Sequence, residues 1–260
     1  MSNYVSTHLQ GGLGNYLFQI ASAYAISKRD NKELKIDISD IAIIHSPLEL
    51  YFDNILKNIS FGVVNNFEFI HQSNHTPISF MGIPSVKGNI KLDGYYQNEK
   101  YFKEYGREIL KLYEIDKTTE NYLLDKYSTV TFKNTCSIHV RRGNYVDRQN
   151  VHPLQSIDYY KQAISIIGEK TLFLIFSDDI EWCESNLNFI ENKIFISGNL
   201  DYQDLYLMSM CNHNIIANSS FSWWGAWLNN HNNKKVIFPS LWFNNGINTS
   251  EIGGENWIKI

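Results

Sequence analysis

An α/β fold with parallel sheets is the class this chain predicts, and three observations predict it. Strand-like apolar runs alternate with stretches of helical spacing, the pattern of βαβ units. The run TLFLIF at 171–176 is apolar almost throughout, as a strand buried on both faces requires. Three strand-like runs of the second half, CSIHV, LFLIF and NIIA, end in the polar clusters RRGN, SDD and NSSFS. Open parallel sheets bind ligands outside the carboxyl ends of their strands, so these clusters predict one rim.

The elements follow in chain order. YVSTHLQ (4–10) reads as a first strand, GGLGN (11–15) turns the chain, and YLFQIASAYAISKR (16–29) follows at helical spacing. Leu17, Ile20, Ala21 and Tyr24 share one face of that helix. LKIDI (34–38) reads as a second strand. Residues 40–90 hold short apolar runs, Pro47, Pro77, Pro84 and many turn formers, and yield no clear element. IKLDGYY (90–96) reads as a strand entering a loop, and EKYFKEYGREILKLY (99–113) as a helix. In the second half TENYLLDKY (119–127) is helical and CSIHV (136–140) is a strand ending at Arg141. Ser156 caps a helix whose buried face is Tyr160, Ala163, Ile164 and Ile167. Asp201 caps another, holding Leu205 and Met208. HNIIA (213–217) is a strand, SFSWWGAWLNN (220–230) a helix and KKVIFP (234–239) a last strand. The pattern sharpens across 115–130, which predicts two lobes, residues 1–120 and 121–260.

Composition narrows the function. A net charge of −4 argues against general nucleic-acid binding, which wants a basic face, but allows a local basic site for one phosphorylated small molecule. The three cysteines, Cys136, Cys183 and Cys211, are far apart and form no CxxC pair, which argues against a disulfide scaffold or a zinc site. No HExxH or comparable metal spacing and no GxSxG elbow occurs. No segment reaches the roughly 18 apolar residues of a membrane span. The expectation is a soluble cytoplasmic protein whose contact with the inner membrane, if any, is peripheral.

The rim gathers Arg141, Asp178, Asp179, Asn218, Ser219, Ser220 and Ser222. Arginine offers a planar fork of donors to phosphate or carboxylate. NSSFS opens a helix, whose free backbone N–H groups suit an anion. A carboxylate such as Asp178 or Asp179 accepts from a sugar hydroxyl or a base N–H. Together they read as a nucleotide site. Each also has a structural reading: the aspartates as a helix start, Ser219 and Ser220 as plain caps, Arg142 as an ion pair on the opposite face from Arg141. Trp223, Trp224 and Trp227 read as core rather than as sugar platforms. In GGLGN, the dinucleotide fingerprint would need glycine at Leu17. Gly11, Gly12 and Gly14 therefore read as a tight turn permitting close approach, with Asn15 and Gln19 one helical turn apart and able to face a ligand.

LQGGLGNYLFQIASAYAIS, LDGYYQNEKYF, HVRRGNYV, FSDD and NSSFSWWGAWL, in this order, resemble the motifs of the bacterial α-1,2-fucosyltransferases, glycosyltransferase family 11. The resemblance spans about residues 8–240 and is weakest over 40–90. It implies a GT-B-like fold, two Rossmann-type lobes with parallel sheets facing a central cleft. It implies an acceptor-side first lobe and a second lobe holding GDP-fucose, with no essential metal or other cofactor. The reaction implied is transfer of L-fucose to the 2-hydroxyl of a terminal galactose, with inversion, in O-antigen or other glycan biosynthesis. Carried over, Arg141 contacts the β-phosphate and is the catalytic residue. His139 lies near the nucleotide, Asp178 and Asp179 help bind the nucleoside, and the NSSFS segment holds the pyrophosphate. Gly12, Gly14, Asn15 and Gln19 complete the expected donor site. Two positions depart from the family pattern. Asn144 stands where Asp is usual, and an amide is no general base: either the base lies elsewhere, with Asp93, Glu99 and Asp147 as candidates, or the family's Asp has a structural role such as holding an arginine, or a dissociative route has little need of a strong base. Tyr16 replaces Gln in GNQLFQ. The alternatives are a transferase using another GDP-sugar, a non-catalytic glycan-binding protein, and, disfavoured by Leu17, a nicotinamide oxidoreductase. The acceptor galactoside and the oligomeric state are open.

Overall fold

The computed structural model describes residues 3–39, 48–73 and 77–260; Pro47 lies outside them. It comprises two units, Met1–Asp116 with Asn248–Ile252, and Lys117–Ile247 with Gly253–Ile260.

The first unit runs β1 (Tyr4–Thr7), α1 (Leu13–Arg29), β2 (Glu33–Leu34), β3 (Ile36–Asp37), α2 (Glu49–Phe52), β4 (Phe61–Gly62), β5 (Phe67–His71), β6 (Asn89–Asp93) and α3 (Gly106–Leu112). Its sheet has the order β2-β1-β6-β5 and every pairing is parallel. The LKIDI segment is not one strand. The Lys35 amide donates to Val5 on β1, whereas the Ile36 amide donates to Ser60, and β3 pairs with β4 instead. The chain thus changes partner between adjacent residues. The stretch 99–113 is likewise not one helix. Asn98 caps a short 3-10 turn through the Lys100 amide, Phe102 leaves helical conformation at φ −134°, ψ 1°, and only α3 is regular. Leu17, Ile20 and Ala21 of α1 are fully buried, and Tyr24 partly so. Tyr16 is buried too, its ring edge-on to Tyr51.

The second unit runs α4 (Lys117–Lys126), β7 (Thr135–Val140), α5 (Ile157–Ile167), β8 (Leu172–Ser177), α6 (Ile180–Asn186), β9 (Lys193–Phe195), α7 (Asp201–Met210), β10 (His213–Ile215), α8 (Ser220–Leu228), β11 (Val236–Phe238) and β12 (Ile258–Lys259). The sheet order is β12-β11-β10-β7-β8-β9, again parallel throughout. β7 is central and buried at every residue. Its Cys136, Ile138 and Val140 pack in one cluster with Tyr160, Ala163 and Ile164 of α5. Ser156 does cap α5, accepting from the Tyr159 amide at 3.2 Å. Asp201 is the first residue of α7 rather than its cap, which is Leu200. Trp223 and Trp224 are core, while Gly225 lets α8 meet α7: a Cβ there would lie 2.8 Å from the Met208 sulfur. The three cysteines are buried and free. Among the described residues no helix is long and apolar enough to cross a membrane.

Candidate active site

In the second unit, β10, β7 and β8 are neighbours, so the residues after their carboxyl ends meet. After β7 the chain reads Arg141-Arg142-Gly143-Asn144-Tyr145. Strand alternation sends the arginines apart, and each takes its own carboxylate. Arg142 Nε donates to Asp179 at 2.9 Å, and the guanidinium lies 4.2 Å from the Trp182 ring centroid. Asp179 also caps α6 by accepting from the Trp182 amide. Arg142 is thereby fixed as a structural brace.

Arg141 is held differently. Its Nη1 donates to Asp178 Oδ2 and its Nη2 to Asn144 Oδ1, both at 2.7 Å. Its guanidinium carbon lies 5.1 Å from the Tyr145 ring centroid. The side chain stays about one-third exposed, and a guanidinium has five N–H donors, more than these contacts use. Gly143 makes the arrangement possible. At φ +20°, a Cβ would sit 2.3 Å from Asp178 Oδ2, displacing the carboxylate from Arg141. Asp178 also accepts from the Arg142 amide at 2.8 Å. Asn144 therefore acts here as an acceptor that orients Arg141.

His139, two residues back on β7, is buried, and its Nδ1 has no partner among the described residues. Burial, reinforced by the Arg141 charge, pulls its pKa down to about 3, so the imidazole is neutral. The Tyr145 hydroxyl donates to the Asn218 carbonyl at 3.2 Å, and burial pushes its pKa up.

The NSSFS segment contributes backbone more than side chains. Asn218 is 1% exposed, and its amide group is fully engaged: it donates to Pro153 and Trp242 carbonyls and accepts from Gln155. The Ser222 hydroxyl is buried against the Ala217 and Ser219 carbonyls. Ser219 is the N-cap of α8 without a side-chain cap bond, and Ser220 opens the helix half-buried. The first-turn amides of α8 have no intrahelical acceptors, so they present partial positive charge.

In the first unit, Gly12 caps α1 with open space around it, and Gly14 is buried within the helix. Gly11, at φ +87°, admits the Asn15 side chain, since a Cβ would lie 2.1 Å from its Nδ2. Asn15 Oδ1 accepts from Gln97 at 2.8 Å. Gln19 is fully buried and faces inward: it accepts from the Gln10 amide and donates to the Gln10 and Gly94 carbonyls. It ties the glycine turn to the loop after β6. Of the candidate bases, Asp147 is exposed, Glu99 opens a 3-10 turn, and Asp93 ends β6 bonded to His8 and His71. Neither histidine stands out in the sequence, because their relation to Asp93 needs the sheet register. Among the described residues no group of three His, Cys, Asp or Glu is placed to hold a metal ion.

The sequence profile of Glycosyl transferase family 11 matches residues 5–260. The Escherichia coli protein named Alpha-1,2-colitosyltransferase is 33% identical, with 98% of each chain covered. The E. coli O-antigen biosynthesis glycosyltransferase WbnK is 29% identical over 97% of this chain and 99% of its own. The crystal structure of NodZ alpha-1,6-fucosyltransferase soaked with GDP-fucose superposes with a TM-score of 0.60 at 12% identity, covering 88% of this chain and 93% of that one. That likeness is one of fold: two α/β units with parallel sheets, the GT-B-like class.

Proposed function

This chain belongs to glycosyltransferase family 11, and on that premise we propose that it transfers L-fucose from GDP-fucose to the 2-hydroxyl of a terminal β-galactoside, with inversion. The observation that carries the reading is Arg141, braced by Asn144 and Asp178 at the end of β7 and lying over Tyr145, whose hydroxyl donates to Asn218 just ahead of α8. Breaking the fucosyl–phosphate bond leaves negative charge on the β-phosphate and an oxocarbenium-like sugar. Donors already in place stabilise that charge without reorganising. Arg141 supplies a fork of N–H donors, and the amides of Ser220 to Ser222 supply a helix N-terminus. Neutral His139 supplies a ring atom without adding charge. The paired charges of the rim cancel two by two, Arg141 with Asp178 and Arg142 with Asp179. Neutral Asn144 keeps that balance from turning negative where a diphosphate would sit. In this reading the second unit holds the donor and the first the acceptor, and transfer needs no divalent metal.

A second reading concerns the sugar alone. Similarity to the E. coli colitosyltransferase favours colitose, which is fucose without its 3-hydroxyl, as an alternative donor sugar. The test is incubation with GDP-fucose and with the corresponding colitosyl nucleotide, each against a panel of β-galactosides in excess EDTA. The new linkage is read by NMR. An α-1,2-fucosyl product is expected. Transfer only from the colitosyl donor replaces the first reading with the second, and no transfer from either overturns both.

A further inference from the structure

Arg141 does not stand alone at the end of β7: an aromatic shelf lies beside it. Three segments of the second unit leave the carboxyl ends of the adjacent strands β7, β10 and β11, namely residues 141–155, 216–219 and 239–245. The first segment folds into successive turns. The Tyr145 amide donates to the Arg142 carbonyl, the Arg148 amide to the Tyr145 carbonyl and the His152 amide to the Arg148 carbonyl. These turns stack the Tyr145 and His152 rings, with centroids 4.4 Å apart and planes at 14°. Phe243, from the third segment, meets the His152 ring at 5.2 Å and 54°.

Hydrogen bonds tie the shelf to all three segments. The Asn244 amide donates to the Val151 carbonyl at 2.8 Å, and its side chain donates to the Gln149 carbonyl at 2.6 Å. Gln155 donates to the Leu241 carbonyl at 3.2 Å. Buried Asn218 donates to Pro153 in the first segment and to Trp242 in the third, and its own carbonyl takes the Tyr145 hydroxyl. Arg141 rests against this assembly, its guanidinium carbon 5.1 Å from the Tyr145 centroid. Asp178 and Asn144 hold its terminal nitrogens. The ring, which attracts a cation to its face, limits how far the guanidinium swings.

His152 contributes a flat face. Its Nδ1 is buried and has no partner among the described residues, which is uncommon for a ring nitrogen and accords with a side chain used for stacking. Burial, with the Arg148 and Arg141 charges beside it, holds its pKa below the ordinary value of 6.5. The ring is therefore neutral at pH 7 and puts no further cation beside Arg141.

We propose that Tyr145 and His152 are positioning residues for Arg141, with Phe243 closing the stack, so that three loops of the second unit set the place of one guanidinium. The inference rests on the transferase reading above. A donor stabilises developing charge to the extent that it is already in place. Misplacement of a reacting arrangement by about 1 Å costs on the order of a hundredfold in rate.

The experiment compares wild type with Tyr145→Leu, His152→Leu and His152→Phe. Leucine fills much of the space without a flat face, whereas phenylalanine keeps the face and drops the ring nitrogens. kcat and the GDP-fucose KM are measured at saturating acceptor, well below the lowest melting temperature. The Arg141 Nε–H signal is followed by NMR in protein carrying isotope-labelled arginine, and is identified by its loss in Arg141→Lys. Tyr145→Leu is expected to lose between about tenfold and a hundredfold in kcat, and His152→Leu about tenfold, with donor KM within about threefold. His152→Phe recovers most of what His152→Leu loses. The Arg141 signal moves in both leucine variants and returns toward its wild-type position in His152→Phe. Equal kcat in His152→Leu and His152→Phe, whether high or low, overturns the proposal, because a role in stability alone does not discriminate a flat side chain from a branched one once both are folded. Should His152→Leu not fold, His152→Gln takes its place, and wild-type kcat with an unmoved Arg141 signal there overturns the proposal. Wild type inactive with every donor sinks the transferase reading; the Arg141 signal then decides this inference alone, and a signal unmoved in His152→Leu overturns it.

Discussion

The carboxyl edges of the two sheets solve the same problem of placing polar side chains at the ends of buried strands, and they solve it differently. In the second unit, cation meets carboxylate: Arg141 with Asp178 and Arg142 with Asp179, each pair joining the loop after β7 to the segment after β8. In the first unit, a carboxylate is shared by two imidazoles, and Gln19 pins backbone to backbone. The first arrangement offers fixed positive charge and suits a leaving diphosphate. The second keeps a carboxylate at its centre, which accepts hydrogen bonds. A charge-stabilising edge loses function when a charge is removed.

The largest effect expected on the charge-stabilising edge is that of Arg141→Ala. Removing one preorganised donor in other enzymes costs about 3 kcal/mol or more, a hundredfold or greater loss in rate. Transfer should fall at least that far while the melting temperature stays within a few degrees; more than a tenth of wild-type activity would dissolve the contrast between the edges.

A charge away from either edge provides a reference. Asp204 on α7 accepts from Asn199, yet burial pushes its pKa up to about 6 from an ordinary value of 3.8. A raised carboxyl pKa means the folded state binds the proton more tightly than the unfolded one. Its stabilising contribution is present below about pH 4 and is lost as pH rises through about 6. Asp204→Asn should therefore melt higher than wild type at pH 7, by at most about 2–3 kcal/mol, with the difference vanishing near pH 4. Thermal melts at the two pH values decide it, and activity should be unmoved.

Gly143→Ala tests the brace. The added methyl pushes Asp178 off Arg141, and the donor KM should rise about tenfold, or about 1.4 kcal/mol. An unchanged KM would mean that the Asp178 contact does not orient Arg141. Asn144→Asp should have the smallest effect. A second carboxylate on Arg141 weakens GDP binding several-fold, about 1 kcal/mol at the partly exposed site, without creating a base. A rise in kcat with a new acid limb would instead make position 144 the base.

How far the sequence reached differs between the edges. Arg141 was legible because CSIHV is an unbroken strand that ends where the charges begin, and α8 because NSSFS precedes an apolar helix. The inward turn of Asn218 and Ser222 was not legible, since their partners are carbonyls of loops that only folding brings close. LKIDI looked continuous because propensity is local, while its division follows from which neighbour each amide meets. Gln19 lies one turn from Asn15, as its spacing says, but its partner Gly94 is 75 residues away.

By itself the chain determined that buried parallel strands would alternate with helices, and that an arginine and a helix start would gather beyond the second unit's strands. Those properties follow from periodicity and from the geometry of a single βα unit, both short-range. Tertiary structure alone decided which charges neutralise one another, that Asn144 holds Arg141, and that His8 and Asp93, 85 residues apart, stand in one row. Strand register made those choices, because an exchange of neighbours or a slip of one residue would turn each of these side chains to other partners.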